Sequence, residues 1–325
     1  MQADNMFWIA SMTKSITGTA LMMLVQEGKV KLDDPVEKFL PEFKGQKVLE
    51  DSDPANSKAA DYPITVREVM DHTSGVVQGS QRGIKPTNNL EQDVKNYASV
   101  PLKRQPGTKY EYNNSGINTG GRIIEVVSGM PYAQFIQTRL LDSLEMKDTT
   151  FWPNPEQGAR LASTARRNAE TKVFEDLAFD KNITPAFIQR FGEGAVVPQP
   201  MLANFGGGPL QDYAKHYAMP AGGLFSTAAD LGKFCQMLLC GGTYHGKTYL
   251  NPETLKEMTQ IQTGDVMVSP TEGYGVGWSV KRKTDEGVAP GSFGHRGARK
   301  TMMWIDPERS AGVLCGRAMG GGAHP

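Results

Sequence analysis

The chain has 325 residues, with 35 basic and 35 acidic side chains and a formal net charge of zero. A chain of that size buries a large core in one or two domains. Its even charge, with no long single-sign run, argues against nucleic acid or an anionic membrane as the main partner, since both need a concentrated cationic face. No segment reaches the ~20 apolar residues of a membrane span, so the expected partner is a small molecule.

Cys235, Cys240 and Cys315 are odd in number and lack C-x-x-C spacing, and the five histidines lie far apart. Neither a disulfide framework, nor a zinc site, nor any cofactor is expected, and the thiols read as buried structural groups.

Ser11 opens an apolar segment with Ile16, Ala20, Leu21 and Leu24 at helical spacing, ending at Gly28. Lys14 followed by this run mimics a signal peptide. No small-residue cleavage site follows, and Gln26-Glu27-Gly28-Lys29 comes directly after, so the segment reads as a buried helix. Asp33-Asp34-Pro35 predicts a short helix with an aspartate cap, and Thr65 with Glu68 forms a capping-box pattern whose helix stops around His72 to Gly75. Further helices are expected over Leu90–Ala98, Ile117–Val127 and Pro131–Leu141. Residues 154–220 turn polar and rich in Gly, Pro and Asn, with Phe205-Gly206-Gly207-Gly208-Pro209 inside; a loop this long predicts a lid or substrate-facing insertion. Thr227 and Asp230 then cap a helix, and Asn251-Pro252-Glu253 starts another. From Gly273 the period becomes two, with Tyr274, Val276, Trp278 and Val280 on one face of a single predicted strand. Phe293–Ala298, Thr301–Ile305 and Ala311–Cys315 read as further strands, with a turn over Asp306–Arg309. The order predicts a mixed α/β (α+β) fold. A sheet lobe comes from residues 1–30 and 221–325, and a helical lobe from residues 31–220, including the lid-like insertion 154–220.

Three short motifs carry chemistry. Ser11 and Lys14 form S-x-x-K, found once in the chain. Three residues apart on a helix, the amine reaches the hydroxyl, and the helix N-terminus favours an anion forming there. A lysine is a base only when neutral, which needs desolvation or a nearby cation. Tyr112-Asn113-Asn114 supplies Y-x-N just before a helix. Its phenol serves a serine as base if a cation stabilises the phenolate, and Asn114 is placed to bond Lys14 or a substrate amide. Tyr110 competes with Tyr112 but lacks the asparagine two positions later. His295-Arg296-Gly297 lies on a late strand, where a basic side chain lines a site and a glycine lets substrate approach the backbone.

These motifs occur in the order one superfamily uses. The blocks FWIASMTKSITGTALMMLVQEGKVKLDDPVEKFLPEF, DHTSG, YEYNNSG, AGGLFSTAADLGKF, GYGVGWSV and FGHRGARKTMMWIDPERSAGVLC resemble those of the class C β-lactamase, D-alanyl-D-alanine carboxypeptidase and family VIII esterase superfamily. The resemblance covers nearly the whole chain apart from residues 154–220. It implies a β-lactamase/transpeptidase-like fold, with an antiparallel sheet flanked by helices. Ser11 would be the nucleophile, with Lys14 and Tyr112 sharing the proton transfers. Asn114, His295, Gly297 and Ala298 would bind substrate, and the N–H groups of Ser11 and Ala298 would form the oxyanion hole. Two departures stand out. The third motif is His-Arg-Gly where β-lactamases of the family usually have Lys-Thr-Gly, which favours an ester over a carboxylate-bearing lactam unless Arg296, Arg299 or Lys300 substitutes. The strands that precede S-x-x-K in the family and its final helix have no counterpart in the sequence, so the expectation is either a fragment or miscalled start, or a smaller sheet than usual.

Two lookalikes fail on context. Gly241–Thr248 fits the P-loop pattern, but a helix precedes it and Asn251-Pro252 follows closely, so a hairpin is expected. His72-Thr73-Ser74-Gly75 lacks the first glycine of a nucleophile elbow. The expected function is an acyl-enzyme serine hydrolase acting on a small-molecule ester or amide. A β-lactamase, a D-alanyl-D-alanine carboxypeptidase and a non-catalytic scaffold stay open as alternatives, as does a homo-oligomer.

Overall fold

The computed structural model describes residues 2–51, 56–79, 84, 87, 89–162, 165–167, 174–176, 217–285, 287–298 and 301–316. In chain order the first elements are β1 (Phe7–Trp8), a 3-10 turn (Ala10–Met12), α1 (Thr13–Gln26), β2 (Lys47–Leu49), β3 (Ser57–Ala59) and α2 (Val66–Met70). Next come α3 (Leu90–Ala98), α4 (Asn114–Ser128), α5 (Tyr132–Ile136), α6 (Pro155–Ala159), β4 (Ala165–Arg167), β5 (Phe174–Asp176) and β6 (Phe225–Ser226). The chain continues with α7 (Ala228–Leu239), β7 (Thr243–Tyr244), β8 (Lys247–Thr248) and α8 (Pro252–Thr259). It finishes in β9 (Glu272–Tyr274), β10 (Ser279–Lys281), β11 (Phe293–Arg296), β12 (Thr301–Asp306) and β13 (Ala311–Gly316). These last five strands form one antiparallel sheet in the order β13-β12-β11-β10-β9. Among the described residues no helix is long and apolar enough to cross a membrane.

Most helices start where a side chain accepts a free N–H. Thr65 and Glu68 make the reciprocal capping box of α2, Asn89 caps α3, Thr227 caps α7 through Asp230 N–H, and Asn251 caps α8. α4 begins three residues before the predicted Ile117 because Asn113 is its cap, accepting from the N–H groups of Ser115 and Gly116. The helix expected at Asp33-Asp34-Pro35 is only a 3-10 turn over Val36–Lys38: Pro35 is extended, and Asp34 accepts from Lys31 N–H instead. The single strand expected from Tyr274 to Val280 is a hairpin. Gly277 takes φ +76° between β9 and β10, so Tyr274 faces Ser279 across the pair. The alternating pattern concealed this because every residue from Tyr274 to Trp278 is buried. Gly241–Thr248 forms the expected hairpin, with Thr243 opposite Thr248. Of the cysteines, Cys235 is buried, whereas Cys240 is exposed against expectation, one residue past the end of α7. The side chain of Cys315 and most of the predicted lid, residues 163–164, 168–173 and 177–216, lie outside the described residues.

α1 is buried from Thr13 to Leu24 and packs on α4, α5 and α8. It also meets the β9–β10 turn backbone to backbone. A Cβ on Gly18 would overlap the carbonyl of Val276, and one on Gly277 would lie 2.5 Å from the carbonyl of Lys14. Ser15 Oγ donates to the Gly277 carbonyl at 3.2 Å. Under the proposed division into lobes, this helix is the common wall between the sheet and the helical residues 31–220.

Candidate active site

Ser11 sits in the 3-10 turn that leads into α1. Ala10 before it takes φ +47°, a left-handed conformation that is rare for a residue with a Cβ and costs of order 1 kcal/mol or more. The turn is held by Ile9, whose N–H donates to Leu224 O at 3.0 Å and whose carbonyl accepts from Met12 N–H at 3.1 Å. Outside the helix and strand ladders, the N–H groups of Ser11 and Ala298 donate to no backbone oxygen among the described residues.

Lys14 lies one turn further along and is fully buried. Its Nζ is 3.2 Å from Ser11 Oγ, 2.8 Å from Asn114 Oδ1 and 2.6 Å from the carbonyl of Ala221. Asn114 Oδ1 and Ala221 O are pure acceptors and engage two amine hydrogens. The third direction, toward Ser11 Oγ, is where a neutral amine carries its lone pair. Burial pushes the Lys14 pKa well below the usual lysine range, and no carboxylate is among the causes to oppose it.

Tyr112 brings its ring to 4.7 Å from Lys14 Nζ, with Ser11 acting on its hydroxyl from close by. The residue as a whole is 42% exposed, its ring forming part of the open surface. Protein nevertheless crowds the phenol oxygen, and that desolvation raises its pKa despite the opposing influence of Ser11. Burial thus disfavours the charged form of both groups, favouring amine for Lys14 and phenol for Tyr112.

The Y-x-N segment is fixed from two sides. Asn113 caps α4 and donates from its side-chain amide to Val76 O. Asn114 N–H donates to Gln78 Oε1 at 3.0 Å, and Asn113 N–H to His72 Nδ1 at 3.2 Å. Neither Gln78 nor His72 was singled out as a site residue. His72 belongs to the DHTSG block quoted for the resemblance, which was the one signal available. Ala221 contributes only a backbone oxygen, which side-chain motifs do not reveal.

Third-motif residues depart from expectation. His295 was read as a basic side chain lining the site, but it is 4% exposed and its ring nitrogens are both engaged by protein. Nδ1–H donates to Arg296 O at 2.8 Å, which leaves Nε2 to accept from Tyr274 OH at 2.8 Å. Burial, helped by the nearby Lys14, drops its pKa to about 3, so the imidazole is neutral. Gly297 was read as admitting substrate to the backbone. The space a Cβ would need is instead filled by Thr301 Oγ1 and by the Ile9 carbonyl, 2.5 Å away. The glycine thus lets β11 press against the turn that carries Ser11. Ala298 is exposed just beyond it, while Arg299 and Lys300 lie outside the described residues.

The family model described as Beta-lactamase matches residues 1–315. This chain belongs to the beta-lactamase family. Its relatives include Protein Rv1367c of Mycobacterium tuberculosis, 29% identical over 94% of this chain and 73% of that protein. Among solved structures, EstCE1, titled a hydrolase with promiscuous acyltransferase activity, superposes with a TM-score of 0.74 at 21% identity, covering 98% of this chain and 81% of its own. Simvastatin synthase (LovD) from Aspergillus terreus gives a TM-score of 0.72 at 20% identity, covering 98% of this chain and 80% of that one. The beta-lactamase family member described here therefore has the β-lactamase/transpeptidase-like fold, mixing helices with antiparallel sheet.

Proposed function

We propose that the protein is a serine hydrolase that forms an acyl-enzyme on Ser11 and acts on small neutral carboxylic esters. The observation that carries this reading is the fully buried Lys14, with Nζ 3.2 Å from Ser11 Oγ and two fixed carbonyl oxygens holding its remaining hydrogens. In the proposed mechanism the neutral amine takes the Ser11 proton as Oγ attacks the ester carbonyl. The N–H groups of Ser11 and Ala298 stabilise the oxyanion, and Tyr112, protonated at rest, hands its proton to the departing alkoxide. Water then reverses the sequence. A purely scaffolding role gives no reason for an uncharged lysine beside a serine, since burying an amine costs stability. Intact-mass spectrometry after treatment with a fluorophosphonate is expected to show a single adduct that disappears in Ser11→Ala. Labelling that survives the substitution would remove Ser11 from this role.

Esters are preferred over β-lactams or D-alanyl peptides in this reading because His295 supplies no cation. Recognition of a substrate carboxylate by a hydrogen-bonded charge pair contributes about 1.5–3 kcal/mol, a factor of roughly ten to a hundred. The value of kcat/KM for p-nitrophenyl butyrate is accordingly expected to exceed that for a chromogenic cephalosporin. The reverse order would favour the lactamase or carboxypeptidase reading of the same nucleophile.

A further inference from the structure

Buried against Tyr112 is a second imidazole that the proposed chemistry does not use. His72 follows α2, is 1% exposed, and takes φ +69°, a backbone conformation in which a glycine would be unstrained. Three of its contacts converge on one residue. Its carbonyl accepts the N–H of Glu111 at 3.0 Å, and its Nδ1 accepts the N–H of Asn113 at 3.2 Å, so the residues immediately before and after Tyr112 are both tied to it through their backbone N–H groups. Its ring centroid lies 4.6 Å from that of Tyr112 at a 50° tilt. Tyr274 and Tyr110 flank the same imidazole at 4.5 and 5.7 Å. Because Nδ1 is an acceptor, the proton of the neutral ring resides on Nε2, and that buried atom has no hydrogen-bond partner among the described residues. An unpaired buried donor costs roughly 1–3 kcal/mol. A phenylalanine would pack there without that penalty, but it would release the Asn113 amide.

We propose that His72 is a positioning residue for Tyr112: its Nδ1 and ring together fix the phenol that protonates the leaving group. The inference rests on the acyl-enzyme reading above and extends it to a residue that touches neither Ser11 nor substrate. Its signature is a dependence on the leaving group. An alkoxide needs the proton from Tyr112, whereas p-nitrophenolate departs without it. A side chain that only supported the fold would affect both classes of ester alike.

The experiment compares His72→Phe, which keeps a ring and loses the acceptor, with His72→Asn, whose Oδ1 sits where Nδ1 does and tolerates the left-handed backbone. Each is assayed on ethyl butyrate and p-nitrophenyl butyrate. In His72→Phe, kcat for ethyl butyrate is expected to fall roughly 10- to 100-fold, at or below the lower end of what a positioned general acid contributes, as suits a residue that acts through another. KM should hold, and the p-nitrophenyl ester should lose far less. His72→Asn is expected to recover part of the ethyl ester rate. Amide hydrogen exchange at Asn113 gives a readout independent of turnover, faster in His72→Phe than in the parent and restored in His72→Asn. Equal losses on both esters, or an Asn113 amide indifferent to both substitutions, would overturn the assignment. Failure of the parent protein to take up a fluorophosphonate at Ser11 overturns the acyl-enzyme reading instead, while the exchange experiment still decides the tie between His72 and Asn113.

Discussion

Replacing Lys14 with methionine, which is similar in volume but has no base, is expected to lower kcat/KM for p-nitrophenyl butyrate by roughly a thousandfold, as loss of a positioned general base does. Two resting states are conceivable for an amine and a phenol around one serine. In the first the lysine is an ammonium and the tyrosine a phenolate; in the second both are neutral. Desolvation pushes Lys14 down and Tyr112 up, so both shifts select the neutral pair, and the amine is the acceptor within reach of the hydroxyl. The pH profile follows with a definite sign. In the proposed mechanism activity requires unprotonated Lys14, so kcat/KM should fall as pH drops through the Lys14 pKa, and that acidic limb should lie well below the ordinary lysine range. In Lys14→Met the residual rate should no longer carry that limb. A variant that keeps more than a tenth of the parent activity, or a limb near the ordinary lysine value, would assign the base elsewhere.

The second large effect concerns stability. Gly18→Ala is expected to destabilise the protein by about 3 kcal/mol or more, at or above the upper end of what overpacking a core usually costs. The added methyl has no void to enter: it would overlap the Val276 carbonyl, and the Gly277 Cα lies 3.4 Å away. Neither atom is the end of a flexible side chain, so helix α1 must move off the β9–β10 turn. Lys14 is one turn upstream on the same helix, and its carbonyl already faces Gly277. The shift should therefore depress activity as well. Urea unfolding followed by tryptophan fluorescence measures it, with buried Trp278 reporting the same turn. An unchanged midpoint would show that the two backbones are not in contact. Gly28→Ala is a useful control: nothing occupies the space near its Cβ, so any cost there comes from its positive φ alone.

Much of this was legible in the sequence for a local reason. The helix starts at Thr65, Thr227 and Asn251 are decided by side chains within three residues of the N–H groups they cap, and the S-x-x-K geometry is set by one helical turn. What could not be read was decided by distant partners. The run from Tyr274 to Val280 has the alternation of a strand, but the pattern does not register that Gly277 must turn away from α1. His295 belongs to a residue type that can be a cation, yet burial against Tyr274, which lies on a different strand, removes its charge. The third ligand of Lys14 is a backbone oxygen of Ala221, invisible to any side-chain motif. His72 was passed over because its ties to Glu111 and Asn113 exist only once the segments have folded together.

The groups described around Ser11 share a property with kinetic consequences. Burial disfavours the charged forms of Lys14, His72, His295 and Tyr112 alike. These four side chains thus add little net charge around Ser11, and the whole chain is formally neutral as well. A charged substrate would gain nothing from long-range attraction, so encounter is left to unbiased diffusion and short-range contact. Raising ionic strength, which slows steered association steeply, should leave kcat/KM for a neutral ester almost flat. The same absence of charge sharpens the chemistry that follows capture. In the proposed mechanism the tetrahedral oxyanion and the protonated Lys14 then appear as opposite charges beside a buried helix, where their attraction is stronger than in water.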